Sequence, residues 1–562
     1  MKEFLIKVVE KGGGGEGTVI ASDLLQDLAW DLAPKGDKEL KVLKRMVARK
    51  TTAGKITLEQ HRDRAYRRAK GAIQEALDRA NTRAKLAPLP PAPPPPPARA
   101  PLTSAAAPQV SRPNPKDLEV QIRQLLAANS YEDYKKGTPP RSAPAPPPPL
   151  QSTPAPGAQQ ERLAAAAVPV TPTCPSAAGA GRTVSGMLDF VIKNFHYRYV
   201  MIDDYLSSFT YTTGNCVDLM VAGMVDYDWW LTGQDRKATQ TPLETQVQVM
   251  KQISILSRGQ VHGLVPFDPF HEVAFRAGKS SDKKSPLQLV QDAIMSDGCV
   301  GVKMYPPMGF APFGNATLNG YWNGAGLPTW VNGQIGYSDG TFATFGERLD
   351  QALEEFYSWC VDNDVPVMAH STVSNGVSDM LAKLAAADHW KPALKNHPNL
   401  RISFGHLGDF SDTLNVASAP DADKFIAFMS NAPNSYADSA YFSAILTEPS
   451  CVRDRLVEYY QKGGTLLPDR LMYGTDWNLL ITQGDIQDYY QYFVQAFKEI
   501  DKTTPQASLR FFGKNAADWL GLAGGKTRMR LDEFYSNNGV FAGDIGLKQP
   551  AWASKLNPRP VT

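Results

Sequence analysis

Cysteine is scarce in this chain: five residues in 562, at positions 174, 216, 299, 360 and 451. No two are close enough to form a C-x-x-C pair. Spacing therefore indicates neither a thiolate zinc site nor a disulfide framework, and a reducing, cytoplasmic setting is expected. An excess of one charge sign is also missing. Lys and Arg number 59 against 57 Asp and Glu, a net charge of +2, which gives no reason to expect nucleic acid or an anionic membrane as the main partner. No uninterrupted apolar run is long enough to span a bilayer. The opening "MKEFLIKVVEKGGGG" breaks its apolar residues with charges and makes a poor signal peptide. Histidine is sparse too, with eight residues, so a recurrence at equivalent positions carries information.

What is present is unevenly distributed. Residues 1 to 85 are charged and rich in helix formers, as in "LEQHRDRAYRRAKGAIQEALDRANTRAK". The basic cluster there is read as a solvated helix face. Residues 86 to 180 carry "APLPPAPPPPPARAP" and "RSAPAPPPPLQSTPAPGAQQ", which lack backbone donors and cannot build a core. This stretch is expected to be mostly disordered, with a short helix near 115–134, and to be cut first in limited proteolysis. Residues 181 to 535 read as one large domain, and 536 to 562 as a tail.

In that large domain, "SGMLDFVIKNFHYRYVMIDDYLSSF" predicts a helix, with His196 a packed residue. Seven short apolar strands then alternate with amphipathic helices. They are "CVDLMVAGMVD", "GQVHGLVPFD", "CVGVKMYP", "VPVMAH", "LRISFGH", "NSYADS" and "DRLMYGTD". Such alternation predicts a parallel sheet covered by helices: a (β/α)8 TIM-like barrel, or a large doubly wound sheet.

The strand ends carry chemistry: Asp226, Asp268, Lys303, His370, His406 and Asp476. In a parallel barrel these ends share one face, where catalytic groups gather. His370 or His406 alone would suit a satisfied core histidine, and Asp476 alone a turn or helix cap. His, His and Asp in that order on the strand ends point instead to a metal or acid–base site. His262 falls before its strand tip and reads as structural. His389 and His397 read as surface residues, His61 lies on the N-terminal helix, and His271 follows a strand exit where it could line a pocket. The loop "PPMGFAPFGNATLNGYWNGAGLPTWVNG" would supply Phe310 and Trp322 to an aromatic lining. "VDYDWW" would bring Asp226 and Trp229 to the same mouth.

"GVKMYPP", "VPVMAHSTVSNG", "LRISFGHLGD", "RLMYGTDWN" and "FFGKNAADWLGL", in this order, resemble the amidohydrolase superfamily. The nearest likeness is to the amidohydrolase-related branch that includes aminocarboxymuconate-semialdehyde decarboxylase, over about residues 182 to 525. The resemblance implies a metal-dependent hydrolase with His370, His406 and Asp476 as ligands. Asp476 would also handle the proton of the attacking water, and with His406 would form the catalytic pair. The implied cofactor is a divalent ion, Zn²⁺ or Mn²⁺, which brings the pKa of bound water towards ~7. Lys303 is either a metal-bridging carbamylated lysine or a substrate-facing or structural one, and the latter is preferred with Tyr305 beside it.

The family pattern also has a first strand ending in His-x-His, and no two histidines here are separated by one residue. Seven strand candidates stand where a closed barrel has eight. "MKEFLIKVV" resembles the segment just after that missing strand, so an N-terminally truncated sequence is expected, with a gap or an improvised strand beside the one near residue 216. Three functions follow: hydrolysis of an amide, ester or lactone; non-oxidative decarboxylation, favoured by an aromatic acid; or binding without catalysis by an inactive homologue. The expected partner is a small, possibly aromatic molecule, with no nucleic acid or membrane and a possible homo-oligomer.

Overall fold

A computed structural model describes residues 36–48, 184–209, 216–226, 241–318, 342–372, 383–408, 421–461, 465–483, 486–542 and 549–556, with isolated positions between 66 and 134 and at 381. The segments read from sequence as a proline-rich insertion and as the N-terminal strand "EFLIKVV" lie outside them, isolated positions in the former excepted, as do Trp229 and Trp322.

All seven expected strands form: β1 (Met220–Gly223), β2 (Val261–Pro266), β3 (Gly301–Met304), β4 (Val367–His370), β5 (Ile402–Gly405), β6 (Ser435–Asp438) and β7 (Leu471–Met472). They make one sheet in the order β1 to β7, and every pairing is parallel. An order without reversal excludes the doubly wound alternative, whose strand order must switch direction. Helices such as Leu243–Leu256, Pro286–Ser296, Phe342–Asp362 and Pro449–Gln461 fill the crossovers, and Gln487–Ile500 follows β7. β2 to β7 are almost wholly buried, which suits strands covered on both faces, while β1 is half-buried with Gly223 exposed.

The sheet curls, and one side chain shows it. Lys303 stands on β3. A β-carbon on Gly223 of β1 would lie 3.7 Å from Lys303 Cδ, and one on Gly405 of β5 would lie 3.6 Å from Lys303 Nζ. A flat sheet could not bring β1 and β5 to the same lysine, so the architecture is that of a TIM-like barrel. Among the described residues no strand stands between β7 and β1. The helix Val184–Lys193 instead packs on the turn Ile481–Gln483 just after β7, so closely that a β-carbon on Gly186 would meet the Ile481 carbonyl at 2.5 Å.

Register places alternate residues in the lumen. Val221 pairs with His262, and Lys303, Met368, Ser403 and Tyr436 follow one another across four strands. The lower lumen is a separate apolar cluster in which Leu264, Tyr436 and Met472 meet Leu531, Phe534, Tyr535 and Trp552. These last four come from C-terminal helices, Lys526–Asn537 and Ala551–Leu556, which the sequence reading left as a domain edge and tail. Gly298, at φ +76, lies under this plug: any β-carbon there would sit 2.8 Å from Phe534, so both backbone and space require glycine. His262 is the polar centre of the floor. Its Nδ1 bonds the Gly298 carbonyl and its Nε2 the Tyr535 hydroxyl, each at 2.7 Å.

Three local expectations need correction. The helix read through residues 185–209 breaks into Val184–Lys193 and Arg198–Ser208. Asn194 Nδ2 bonds the Phe190 carbonyl at 2.7 Å, a side chain competing with the ladder, and buried His196 sits in the resulting turn 3.7 Å from Asp204. His397 is not on the surface: it is buried, with Nε2 3.0 Å from Glu354. Cys451 is disulfide-bonded, where spacing gave no disulfide. Cys216, Cys299 and Cys360 are free.

Candidate functional site

The upper lumen is built from strand tips. β4 ends on His370 and β5 on Gly405, paired in register. His406 follows at φ +67, then Leu407 and Gly408 at +42 and +59. A left-handed non-glycine residue is costly and persists only where surroundings over-determine it. The determinants are visible. The His406 backbone N–H donates to Asp438 Oδ1 at 3.1 Å. The ring is fixed as well: His406 Nδ1 lies 2.7 Å from the Ala440 carbonyl, which can only accept, so Nδ1 carries the proton. That leaves Nε2 facing the lumen, 3.1 Å from His370 Nδ1.

His370 is held by stacking. Tyr305, two residues beyond Lys303, lies face to face with it at 4.3 Å between ring centres and 23° between planes. The two imidazoles meet edge to face at 4.7 Å. Burial first, then the neighbouring His406 and Lys303, holds His370 well below the ordinary histidine range, so the ring is neutral. With the His406 Nδ1 proton directed at Ala440, His370 Nδ1 donates to His406 Nε2. His370 Nε2 is then a bare lone pair, buried and without a hydrogen-bond partner.

Asp476 stands at φ +45, at the start of the helical turn Trp477–Leu480, and its side chain makes no capping bond to that turn. The helix-cap reading of this acid therefore fails. Burial raises its carboxyl above the usual range, His406 and Lys303 pull it back down, and Asp438 pushes it up. Burial and Asp438 act on Lys303 too: burial lowers its amine, while Asp438 and Asp476 raise it. His370, His406, Lys303 and Asp476 thus share one field at the open end of the barrel.

Asp438 was not singled out from the sequence, although "NSYADS" was read as a strand. It ends β6 as His370 ends β4, and that parity was the available signal. It is buried, accepts from the backbone of His406 and of Ala440 through Oδ1, and its Oδ2 has no hydrogen-bond partner.

The other expected residues fall elsewhere. Asp226 and His271 come together as a second buried group. His271 Nδ1 is 2.5 Å from Asp226 Oδ2 and its Nε2 is 2.7 Å from Asp282 Oδ2. Asp268 caps the helix Pro269–Arg276 through the Phe270 N–H. Burial, and then Asp226, pushes its carboxyl up to about 8. Phe310 is packed in the main core rather than lining an opening, at 1% exposure.

The donor set bears on the implied metal. Ligands at ~2.0–2.1 Å in a tetrahedron stand roughly 3.3 Å apart, so the 3.1 Å between His370 Nδ1 and His406 Nε2 suits two ligands of one ion once the His370 proton sits on Nε2 in place of Nδ1. Among the described residues, however, no group of three or more His, Cys, Asp or Glu side chains is disposed to hold a metal ion. The imidazole pair fits, and Asp476 is not drawn into a complete set with it.

No curated protein matches the chain. Two solved structures are similar at low identity. One is an uncharacterized TIM-barrel protein from Bordetella bronchiseptica, with 13% identity, 54% of this chain and 99% of that one covered, and a TM-score of 0.29. The other, from Lactobacillus casei, is named provisionally as a metal-dependent hydrolase, with 12% identity, 53% and 73% covered, and a TM-score of 0.34. Residues 324–522 match the family described as amidohydrolase. This matched segment holds His370, His406, Asp438 and Asp476.

Proposed function

We propose that the chain is a hydrolase of amidohydrolase type, acting at the upper lumen on the carbonyl of a small amide, ester or lactone. The observation that supports this most is the imidazole pair: two buried histidines on adjacent strand ends, nitrogen to nitrogen at 3.1 Å, inside the segment that matches the family. A divalent cation, Zn²⁺ by ligand type or else Mn²⁺, would be held by His370 and His406 and would supply Lewis acidity for activating water. Asp476 would take a proton from the attacking water and return it to the leaving group. Lys303 offers an ammonium to a developing negative charge.

A second reading is decarboxylation of an aromatic acid. Tyr305, stacked on His370, puts a π-surface beside the pair and favours it. No helix among the described residues is long and apolar enough to cross a membrane. A cytoplasmic setting rests on cysteine spacing, and the Cys451 disulfide weighs against it.

The test is a calorimetric titration with Zn²⁺, followed by a panel of nitrophenyl esters, lactones and aromatic carboxylates, with carbon dioxide measured in parallel. Zinc binding abolished by His370→Ala and by His406→Ala, together with ester or lactone turnover, supports the hydrolase. Carbon dioxide release from an aromatic acid selects the decarboxylase. Equal zinc binding by wild type and both variants removes the imidazole pair as the site.

A further inference from the structure

The turn after β6 does something that neither the family match nor the proposed reaction assigns. Asp438 Oδ1 accepts two backbone N–H bonds, from His406 at 3.1 Å and from Ala440 at 3.0 Å. Ala440 in turn presents its carbonyl to His406 Nδ1 at 2.7 Å. One carboxylate oxygen therefore grips the histidine twice, directly at its left-handed backbone and indirectly, through the residue it orders, at its ring. The fixed tautomer is the one that leaves Nε2 unprotonated towards His370.

The other oxygen, Oδ2, is buried and without a hydrogen-bond partner. Oδ2 and Lys303 Nζ lie 3.7 and 3.6 Å from the point where a β-carbon on Gly405 would stand, and Asp438 raises the Lys303 amine. Gly405 thus leaves the space that both side chains share. Gly474, two residues beyond β7, gives similar room, since a β-carbon there would come within 3.3 Å of Asp438 Oδ1.

We propose that Asp438 is the positioning residue of this site: Oδ1 sets the backbone and tautomer of His406, and Oδ2 supplies the counter-charge that keeps Lys303 in the lumen. The inference rests on the reading of the upper lumen as the active site. Its deciding readout, the His406 tautomer, needs neither substrate nor metal, so the two can fail separately.

With eight histidines in the chain, selective ¹⁵N-histidine labelling and long-range ¹H–¹⁵N spectra resolve tautomers ring by ring. Wild-type His406 is expected as the Nδ1–H form. Asp438→Asn keeps an oxygen for both N–H groups and should keep that tautomer. Asp438→Ala should give a tautomer mixture at His406 while His262, remote on the barrel floor, is unchanged. Lys303→Met should leave the His406 tautomer as in wild type. With Zn²⁺ as probe, Asp438→Ala should weaken binding on the order of 10-fold or more, as loss of a ligand's supporting partner does. An unchanged His406 in a folded Asp438→Ala protein overturns the proposal. So does scrambling in Asp438→Asn, since charge rather than the grip would then be responsible, and so does scrambling in Lys303→Met. Should Asp438→Ala unfold, as His262 would report, the Asn and Met variants decide alone.

Discussion

The floor and the mouth of the barrel lumen are lined by the same residue type to opposite ends. His262 below has both nitrogens engaged, by the Gly298 carbonyl and the Tyr535 hydroxyl. His370 above has one nitrogen shared with His406 and the other bare. Both rings are buried and both are held below the ordinary histidine range, chiefly by burial. Burial and depressed basicity therefore do not mark function here. The difference lies in satisfaction: a histidine whose hydrogen-bond capacity is spent on the fold is structural, and one that keeps a lone pair in a polar lumen is available.

This contrast can be broken by experiment, most strongly on the floor. His262→Ala strands the Tyr535 hydroxyl and the Gly298 carbonyl and opens a cavity beneath the C-terminal plug. We expect a loss of about 3 kcal/mol or more in urea unfolding, with Zn²⁺ binding at the mouth unaltered. A loss under ~1 kcal/mol would deny the floor its structural role.

Acid should act through the same ring. Its basicity is lowered to about 4 from 6.5. Above about pH 6.5 the ring is neutral folded and unfolded and contributes no pH dependence. Below it the unfolded ring takes up a proton that the folded ring refuses, so stability falls until the folded ring protonates near pH 4. The integrated loss is about 3 kcal/mol. His370 adds a loss of the same sign. The His262→Gln variant should show a shallower stability–pH slope between 4 and 6.5, and an unchanged slope would contradict this assignment.

At the mouth, substitution should cost function rather than stability. His370→Gln is expected to shift unfolding free energy by about 1 kcal/mol or less, because an unsatisfied nitrogen is lost along with one hydrogen bond, while protection by Zn²⁺ against thermal unfolding disappears. The smallest effect is expected midway. Ser403 Oγ is buried in the lumen without a hydrogen-bond partner, so Ser403→Ala should be neutral or stabilising by up to ~1 kcal/mol. A larger destabilisation would mean that the hydroxyl is bonded.

Much of this was legible in the chain because local pattern and tertiary role agree. Most of the buried parallel strands are continuous apolar runs bounded by helices, and all seven were readable. The histidines were readable because each closes such a run. Asp438 was missed because its strand, "NSYADS", is short and polar, and its importance lies in hydrogen bonds to backbone that no residue pattern encodes. The C-terminal plug was missed for a related reason. Phe534 and Tyr535 fall at the edge of the domain read from sequence and Trp552 in its tail, and their partners lie on strands far back in the chain. His397 was misplaced because a single Glu354 contact across a crossover is invisible to periodicity. The aromatic-mouth reading of Phe310 gave way to core packing, since a Gly- and Pro-rich loop can bury its rings on itself, as Asn315 ties this one down through Ala311 and Asp350.

The sequential strand order carries a consequence for assembly. Each strand hydrogen-bonds only to its neighbours in the chain, so the sheet can grow one crossover at a time, as stacked repeats do. His370 and His406 are 36 residues apart and sit on adjacent strands, so a single β4–helix–β5 unit brings them together. Their encounter needs no closure of the ring and draws on no contact from β1 or β7. Loop-closure entropy is modest at that separation, and the pair is expected early in folding. Insertions or exchanges at the far edges of the sheet can therefore be tolerated by the histidine pair, because its geometry is settled in the middle of the array.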